Sequence, residues 1–235
     1  MRAVKRRSDE RGLTQRGWLD SKHTFSFGEY QDPAHMQFRA LRVLNDDHVD
    51  AGQGFGKHGH RDAEILSYVI SGQLEHQDSM GNGRTIQAGD LQYKSAGSGV
   101  MHREYNPSDS ESVHFLQIWI LPDSSGGEPR YAERAMAADT KPNSLTLLAS
   151  GDGRDGTIGI RAEAEVYFGR LDAGFSTAHP VDAGRGVFVH VIKGQVEIDG
   201  LQLEPGDGAS IEIEDAESVG VLAGADSEFL LFDLK

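Results

Sequence analysis

The sequence predicts an all-β protein built from two copies of one β domain. Three observations lead there. Short apolar stretches alternate with turn-rich segments along the 235 residues, 29 of which are Gly. Helical periodicity is nearly absent. A seven-residue stretch, VISGQLE at 69–75, returns as VIKGQVE at 191–197, an offset of 122 residues. Each copy is followed by a Gly-Asp turn, Gly89-Asp90 and Gly206-Asp207. A repeat near half the chain length is the mark of a duplicated fold.

The elements follow in order. Residues 38–49, FRALRVLNDDHV, read as a strand running into a turn. Residues 65–79 read as two strands joined by Ser71-Gly72. Gly89-Asp90 turns into another short strand, and 111–122 is a long strand closed by Pro122. The segment 122–129, PDSSGGEP, has no apolar pattern and reads as a domain boundary. Residues 130–138, RYAERAMAA, are the best short helix candidate. Strands then resume at 145–149, 157–161, 164–171, 187–192, 195–199, 209–213, 218–222 and 228–234.

Composition excludes several classes of function. The chain has no Cys, so disulfides, thiolate metal sites, iron–sulfur clusters and Cys nucleophiles are out. The N-terminus is basic but leads into no apolar run, and no 18-residue apolar stretch exists, so neither a signal peptide nor a membrane span is expected. A cytoplasmic location fits. The formal charge is −14, of which residues 151–235 carry −11. Six basic residues in the first 16 face that global field, which argues against nucleic acid as a partner. The Gly-x-Gly pairs lack a strand–loop–helix context, so dinucleotide and phosphate loops are not expected.

One constellation carries chemistry. Residues 54–60 read Gly-Phe-Gly-Lys-His-Gly-His, and residues 97–104 read Gly-Ser-Gly-Val-Met-His-Arg-Glu. His58/His60 and His102/Glu104 are each spaced i, i+2, which on a strand puts both side chains on one face. Two such strands meeting inside a barrel would present three imidazoles and a carboxylate to one ion. A mixed N/O set suits Fe(II), Ni, Mn, Cu or Zn. Glu64, four residues after His60, shares that face if the strand is continuous, and would orient an imidazole or substitute as a ligand. The other seven histidines show no comparable pairing. The second half has no His-x-His, so its copy is expected to lack the site.

The sequence resembles the pirin family of bicupins over essentially its whole length. The stretch Gly17-Trp18-Leu19-Asp20-Ser21-Lys22-His23-Thr24-Phe25-Ser26-Phe27-Gly28 matches the family's opening signature. Phe38-Arg39, Leu41–Asp47 and the two ligand elements with their flanking glycines match as well. Gly59 stands where relatives usually carry Pro, a change that loosens the backbone but removes no ligand. The resemblance implies two tandem cupin barrels of the double-stranded β-helix or jelly-roll type, packed face to face. Residues 1–125 would form the metal-binding domain, and 126–235 a degenerate copy without ligands.

The resemblance also implies a single ion on His58, His60, His102 and Glu104. Iron(II) is foremost, with Ni, Mn, Cu, Zn or Co as alternatives. Bacterial relatives resemble quercetin 2,3-dioxygenases, so the implied reaction is oxygenative ring opening of a flavonol with release of CO. Glu104 is the candidate base and Glu64 its substitute, with Phe25, Phe27 and Phe55 as apolar pocket residues. The alternative is a non-enzymatic, metal-containing module that binds a protein partner.

Overall fold

The computed structural model describes residues 3–136 and 140–235. The chain divides into two compact units, Gly12–Gln37 with Leu41–Ala138, and Met1–Arg11 with Phe38–Ala40 and Asp139–Lys235. Strand β1 (Ala3–Arg6) belongs to the latter. The first unit contains β2 (Gly12–Gln15), β3 (Leu19–His23), β4 (Leu41–Val49), β5 (Gly54–His60), β6 (Glu64–Ser71) and β7 (Gln73–Asp78). It continues with β8 (Gly83–Gln87), β9 (Asp90–Ser95), β10 (Val100–Tyr105), β11 (Val113–Ile120) and β12 (Arg130–Ala135). The second adds β13 (Ser144–Ser150), β14 (Ile158–Gly159), β15 (Ala164–Leu171), β16 (Ser176–Val181) and β17 (Gly186–Lys193). It ends with β18 (Val196–Ile198), β19 (Leu201–Leu203), β20 (Gly208–Glu212), β21 (Glu217–Ala223) and β22 (Ser227–Leu234).

Each unit consists of a seven-stranded and a four-stranded sheet. In the first unit the orders are β12-β9-β6-β11-β4-β3-β2 and β5-β10-β7-β8. In the second they are β1-β20-β17-β22-β15-β13-β14 and β16-β21-β18-β19. The two units therefore share one strand order, and the repeated VISGQLE and VIKGQVE fall on matching turns from the large sheet to the small one, β6 to β7 and β17 to β18. The expectation of barrels is corrected. Two cupin-like β domains are present, but every sheet is open, with an edge strand at each end and no closure. Consecutive strands such as β5 and β6 lie in different sheets, so hydrogen bonding is not continuous around the domain.

Alternation fixes which side chains fill each interior. In the first unit, Leu19, Val49, Val69, Leu74, Ile86, Val113 and Phe115 form one apolar cluster, and Ala63, Ile65, Ala96 and Val100 a smaller one. In the second unit one large apolar cluster runs from Leu171 on β15 to Leu231 on β22, with His179, His190 and Asp233 buried as well. The segment expected as a helix is instead strand β12, paired antiparallel with β9 from Arg130↔Ser95 to Ala135↔Asp90. Its Ala, Arg and Glu favour a helix locally, but the open backbone edge of β9 overrides that weak preference. Residues 137–138 of that candidate lie outside the described residues. Among the described residues no helix is long and apolar enough to cross a membrane.

The repeated turn between sheets explains the glycine that both copies carry. Gly72 and Gly194 both have positive φ, 77° and 80°. A Cβ at Gly72 would meet the Ser112 carbonyl oxygen, and one at Gly194 the Asp226 carbonyl oxygen. Both the backbone angle and the close approach require Gly. Gly72→Ala and Gly194→Ala are each expected to destabilise the protein by about 1–3 kcal/mol, read as a lowered midpoint in urea denaturation.

Candidate metal centre

Strands β5 and β10 pair antiparallel, with His102 opposite His58 and Val100 opposite His60. Between His102 and Glu104 the register slips, so that Glu104 stands opposite Phe55. Gly56 and Lys57 take up the extra length on β5 as a bulge, which re-aims the following side chains. The three imidazoles converge. Ring centroids are 4.3 Å apart for His58–His102, 4.6 Å for His60–His102 and 4.7 Å for His58–His60. One ring nitrogen from each lies within 4.8 Å of the others.

The donor chemistry fits a transition ion. His58 Nδ1 donates to the Gly56 carbonyl at 2.7 Å, which leaves the Nε2 lone pair to face His102 Nε2 at 2.9 Å. Burial pushes His60 down to about 4, with help from the neighbouring His58. Burial also pushes His102 down to about 2, and the attraction of Glu104 offsets this only in part. Both rings are therefore neutral at neutral pH, the charge state in which imidazole serves as a ligand.

Glu104 lies on the same strand face but is held from behind. Lys94 on β9 donates to Glu104 Oε1 at 2.5 Å and to His102 Nδ1 at 2.9 Å, and also stands 3.4 Å from His76 Nδ1. Gln117 Nε2 donates to Glu104 Oε2 at 2.9 Å, and Ser67 Oγ bonds Gln117 at 2.8 Å. Glu104 and Lys94 are both about 1% exposed. Burial alone would raise the Glu104 carboxyl, but the Lys94 ammonium holds it well below the usual carboxylate range. Burial lowers Lys94, and Glu104 resists that shift. By ligand spacing Glu104 groups with His76 and His102, while His58, His60 and His102 form the other group.

Glu64 falls in neither group. The chain turns out of β5 at Asp62, which has φ 50°, and Glu64 begins β6 in the other sheet. The continuous strand assumed from the sequence is thus broken. The Glu64 carboxylate accepts from Ser95 Oγ at 2.5 Å and from the Tyr93 hydroxyl. Burial and this carboxylate push the Tyr93 phenol up, so it stays a donor.

Aromatic side chains stand beside the cluster. Trp119 on β11 meets His60 edge-on at 4.9 Å, and Phe27 meets Trp119 at 5.5 Å. Trp119 Nε1 is buried with no hydrogen-bond acceptor among the described residues. Phe55 packs against Trp18 at 5.4 Å, and Phe25 is buried.

Sequence reasoning missed Lys94, His76, Gln117 and Trp119. His76 is fully buried and stacks on Tyr131 at 5.3 Å; its i, i+2 spacing with Asp78 was the available signal. Lys94 gave no signal, since a lone Lys in a strand reads as a solvated side chain.

Among the described residues the second unit has no three-imidazole cluster, and its potential ligands Glu165, His179 and Asp233 group elsewhere. Register places His179 opposite Val219, as His58 stands opposite His102. Val181, Val219 and Val221 then occupy the positions of His60, His102 and Glu104, and all three are buried in the apolar core. His179 turns instead to Asp233, 2.8 Å away.

The Pirin family profile matches residues 5–120, and a quercetinase C-terminal cupin domain profile matches residues 147–234. A quercetin 2,3-dioxygenase from Escherichia coli strain K12 is 47% identical over 229 residues, 97% of each chain. The chain belongs to the pirin family. Among solved pirin structures, YhhW from Escherichia coli superposes with a TM-score of 0.95 at 45% identity, covering 100% of this chain and 98% of that one. The nickel(II) complex of YhhW gives 0.94 at 45% identity over 99% of both chains.

Two predictions follow from this geometry. Lys94→Met leaves a buried carboxylate uncompensated and is expected to cost about 3–5 kcal/mol in denaturant unfolding. Adding Glu104→Gln should recover part of that loss. The depressed imidazoles exclude protons that the unfolded chain accepts. The stability they contribute is complete above about pH 6.5. It declines as pH falls toward 4 for His60 and 2 for His102. Urea denaturation of metal-free protein is expected to give a lower midpoint at pH 5 than at pH 7, with a shallower dependence in His60→Asn.

Proposed function

We propose that this pirin is a metal-dependent quercetin 2,3-dioxygenase that opens a flavonol ring, taking up one O2 and releasing one CO. His58, His60 and His102 would hold one divalent transition ion, with one oxygen of Glu104 as the fourth donor. The observation that carries the reading is the convergence of three imidazole nitrogens within 4.8 Å, two of the rings held neutral by burial. The 47% identity to the Escherichia coli quercetin 2,3-dioxygenase supports the substrate class. The nickel(II) bound by YhhW supports the class of ion. Iron(II) is the ion proposed first, with Ni, Mn, Cu, Zn or Co chemically acceptable to the same donors. Once bound, such an ion makes a flavonol hydroxyl more acidic and readies the substrate for dioxygen.

The chain's own residues handle the proton and the orientation. Glu104, kept ionised by Lys94, is the proposed acceptor of the flavonol 3-hydroxyl proton. Gln117 fixes the plane of its carboxylate. Trp119 and Phe27 offer an aromatic wall for a planar substrate, and the free Trp119 N–H offers a donor to a substrate oxygen. Glu64 acts at one remove, bracing β6 against β9 through Tyr93 and Ser95. A cytoplasmic location and a small-molecule rather than nucleic-acid partner belong to the same proposal.

Reconstituted protein is expected to consume O2 and evolve CO with quercetin. His58→Ala and His102→Ala should lose the ion together with activity. Glu104→Gln made together with Lys94→Met, so that no buried ammonium is left unpaired, should lower kcat by about 10²–10⁴. Full metal loading without O2 uptake across a flavonol panel would overturn the reading.

A further inference from the structure

A second group of potential ligands lies on the opposite face of the seven-stranded sheet in the first unit. His48 on β4 and His114 on β11 are direct cross-strand partners, and Asp46 lies two residues before His48 on the same face. On β11, Val113 and Phe115 point into the apolar interior, so His114 between them points away from it. The histidine rings stack at 3.8 Å with 17° between their planes. His114 Nε2 is 2.6 Å from Asp46 Oδ1, and His48 Nε2 is 4.0 Å from the same oxygen. One donor atom from each of the three lies within 4.8 Å of the others.

We propose that Asp46, His48 and His114 form a second, surface site for a borderline divalent ion of the Zn2+ or Cu2+ class. The inference does not rest on the proposed oxygenase activity. Two imidazole nitrogens and one carboxylate oxygen are the donor set such ions prefer. Donors bound at about 2.0–2.2 Å stand roughly 3–4 Å from one another, close to the spacing already present. His114 and Asp46 have to part slightly, and His48, whose side chain is 53% exposed, has to turn out of its stack with His114. The other two donors are held on neighbouring strands within the sheet, which limits the ordering cost of binding. Burial and the adjacent His114 lower the His48 pKa, which favours the neutral, ligating form. Asp20 stands across from His48 and adds negative charge, while Lys22 stands across from Asp46 and opposes it. An ordinary ion pair between His114 and Asp46 accounts for two of the three groups, but leaves the stacked His48 unexplained.

The test uses protein whose interior cluster has first been loaded with its own metal. Calorimetric titration with Zn2+ is expected to show one further equivalent. His48→Ala, His114→Ala and Asp46→Asn should each weaken that equivalent at least tenfold, with unchanged melting temperature in the absence of added Zn2+ for His48→Ala. With Cu2+ as the probe, electron paramagnetic resonance should show coupling to two nitrogens in the wild type and one in His48→Ala. The proposal is overturned if no further equivalent binds, or if its affinity is the same in all three variants. Loss of the further equivalent in His58→Ala with retention in His114→Ala would likewise overturn it, because the ion would then belong to the interior cluster.

Discussion

The buried ion pair of Lys94 and Glu104 is the constraint around which the first unit is arranged. A lysine 1% exposed in a β domain is tolerable only with a charged partner and further polar contacts. Here the partner is Glu104 at 2.5 Å, and the ammonium also reaches His102. The pair ties β9 of the large sheet to β10 of the small one. It also decides the electrostatics of the histidine cluster. The lysine keeps the carboxylate ionised, and the carboxylate partly offsets the burial that holds His102 neutral. Replacing either charge alters both the packing between sheets and the donor properties of the site.

The two units show what happens to one strand order when that constraint is absent. In the second, the equivalent positions carry Val181, Val219 and Val221, and the interior closes as a continuous apolar core. There apolar side chains pack directly between the sheets, and the contact of His179 with the buried Asp233, which Arg185 also meets, joins β16 to β22. The first unit gives up that apolar continuity in exchange for a polar interior able to receive an ion.

Much of this was legible because it depends on local spacing. The i, i+2 separations of His58/His60 and His102/Glu104 translate directly into one face of a strand, and the repeated Gly72 and Gly194 into one turn geometry. The all-β class followed from the same periodicity. Closure of the sheets did not, because it depends on hydrogen bonding between strand edges that the sequence pattern does not encode. The helix expected near residue 130 failed for a related reason: a neighbouring strand edge outweighed local propensity. Glu64 was misaligned with His60 because the turn at Asp62 has no strong sequence signature. Lys94, Gln117 and Trp119 join the site through strands far apart in the chain, so no spacing rule finds them. His48 and His114 escaped notice likewise, as partners on strands separated by much of the first half.

The placement of β1 bears on how the protein is made. This strand precedes the other described strands, yet it pairs with β20, Ala3 opposite Ile211. It emerges from the ribosome about 200 residues ahead of its partner, which at typical rates means a wait of roughly 10–40 seconds. During that interval the first unit can assemble, including β12, while the leading strand stays without its native neighbour. Its composition suits the wait: Lys5 and Arg6 lie within the strand and Arg7 follows, and charge of one sign discourages pairing with stray strand edges. Once β20 is in place, Lys5 meets Asp207 just ahead of it, so the charge that discourages stray pairing is taken up in the native pairing.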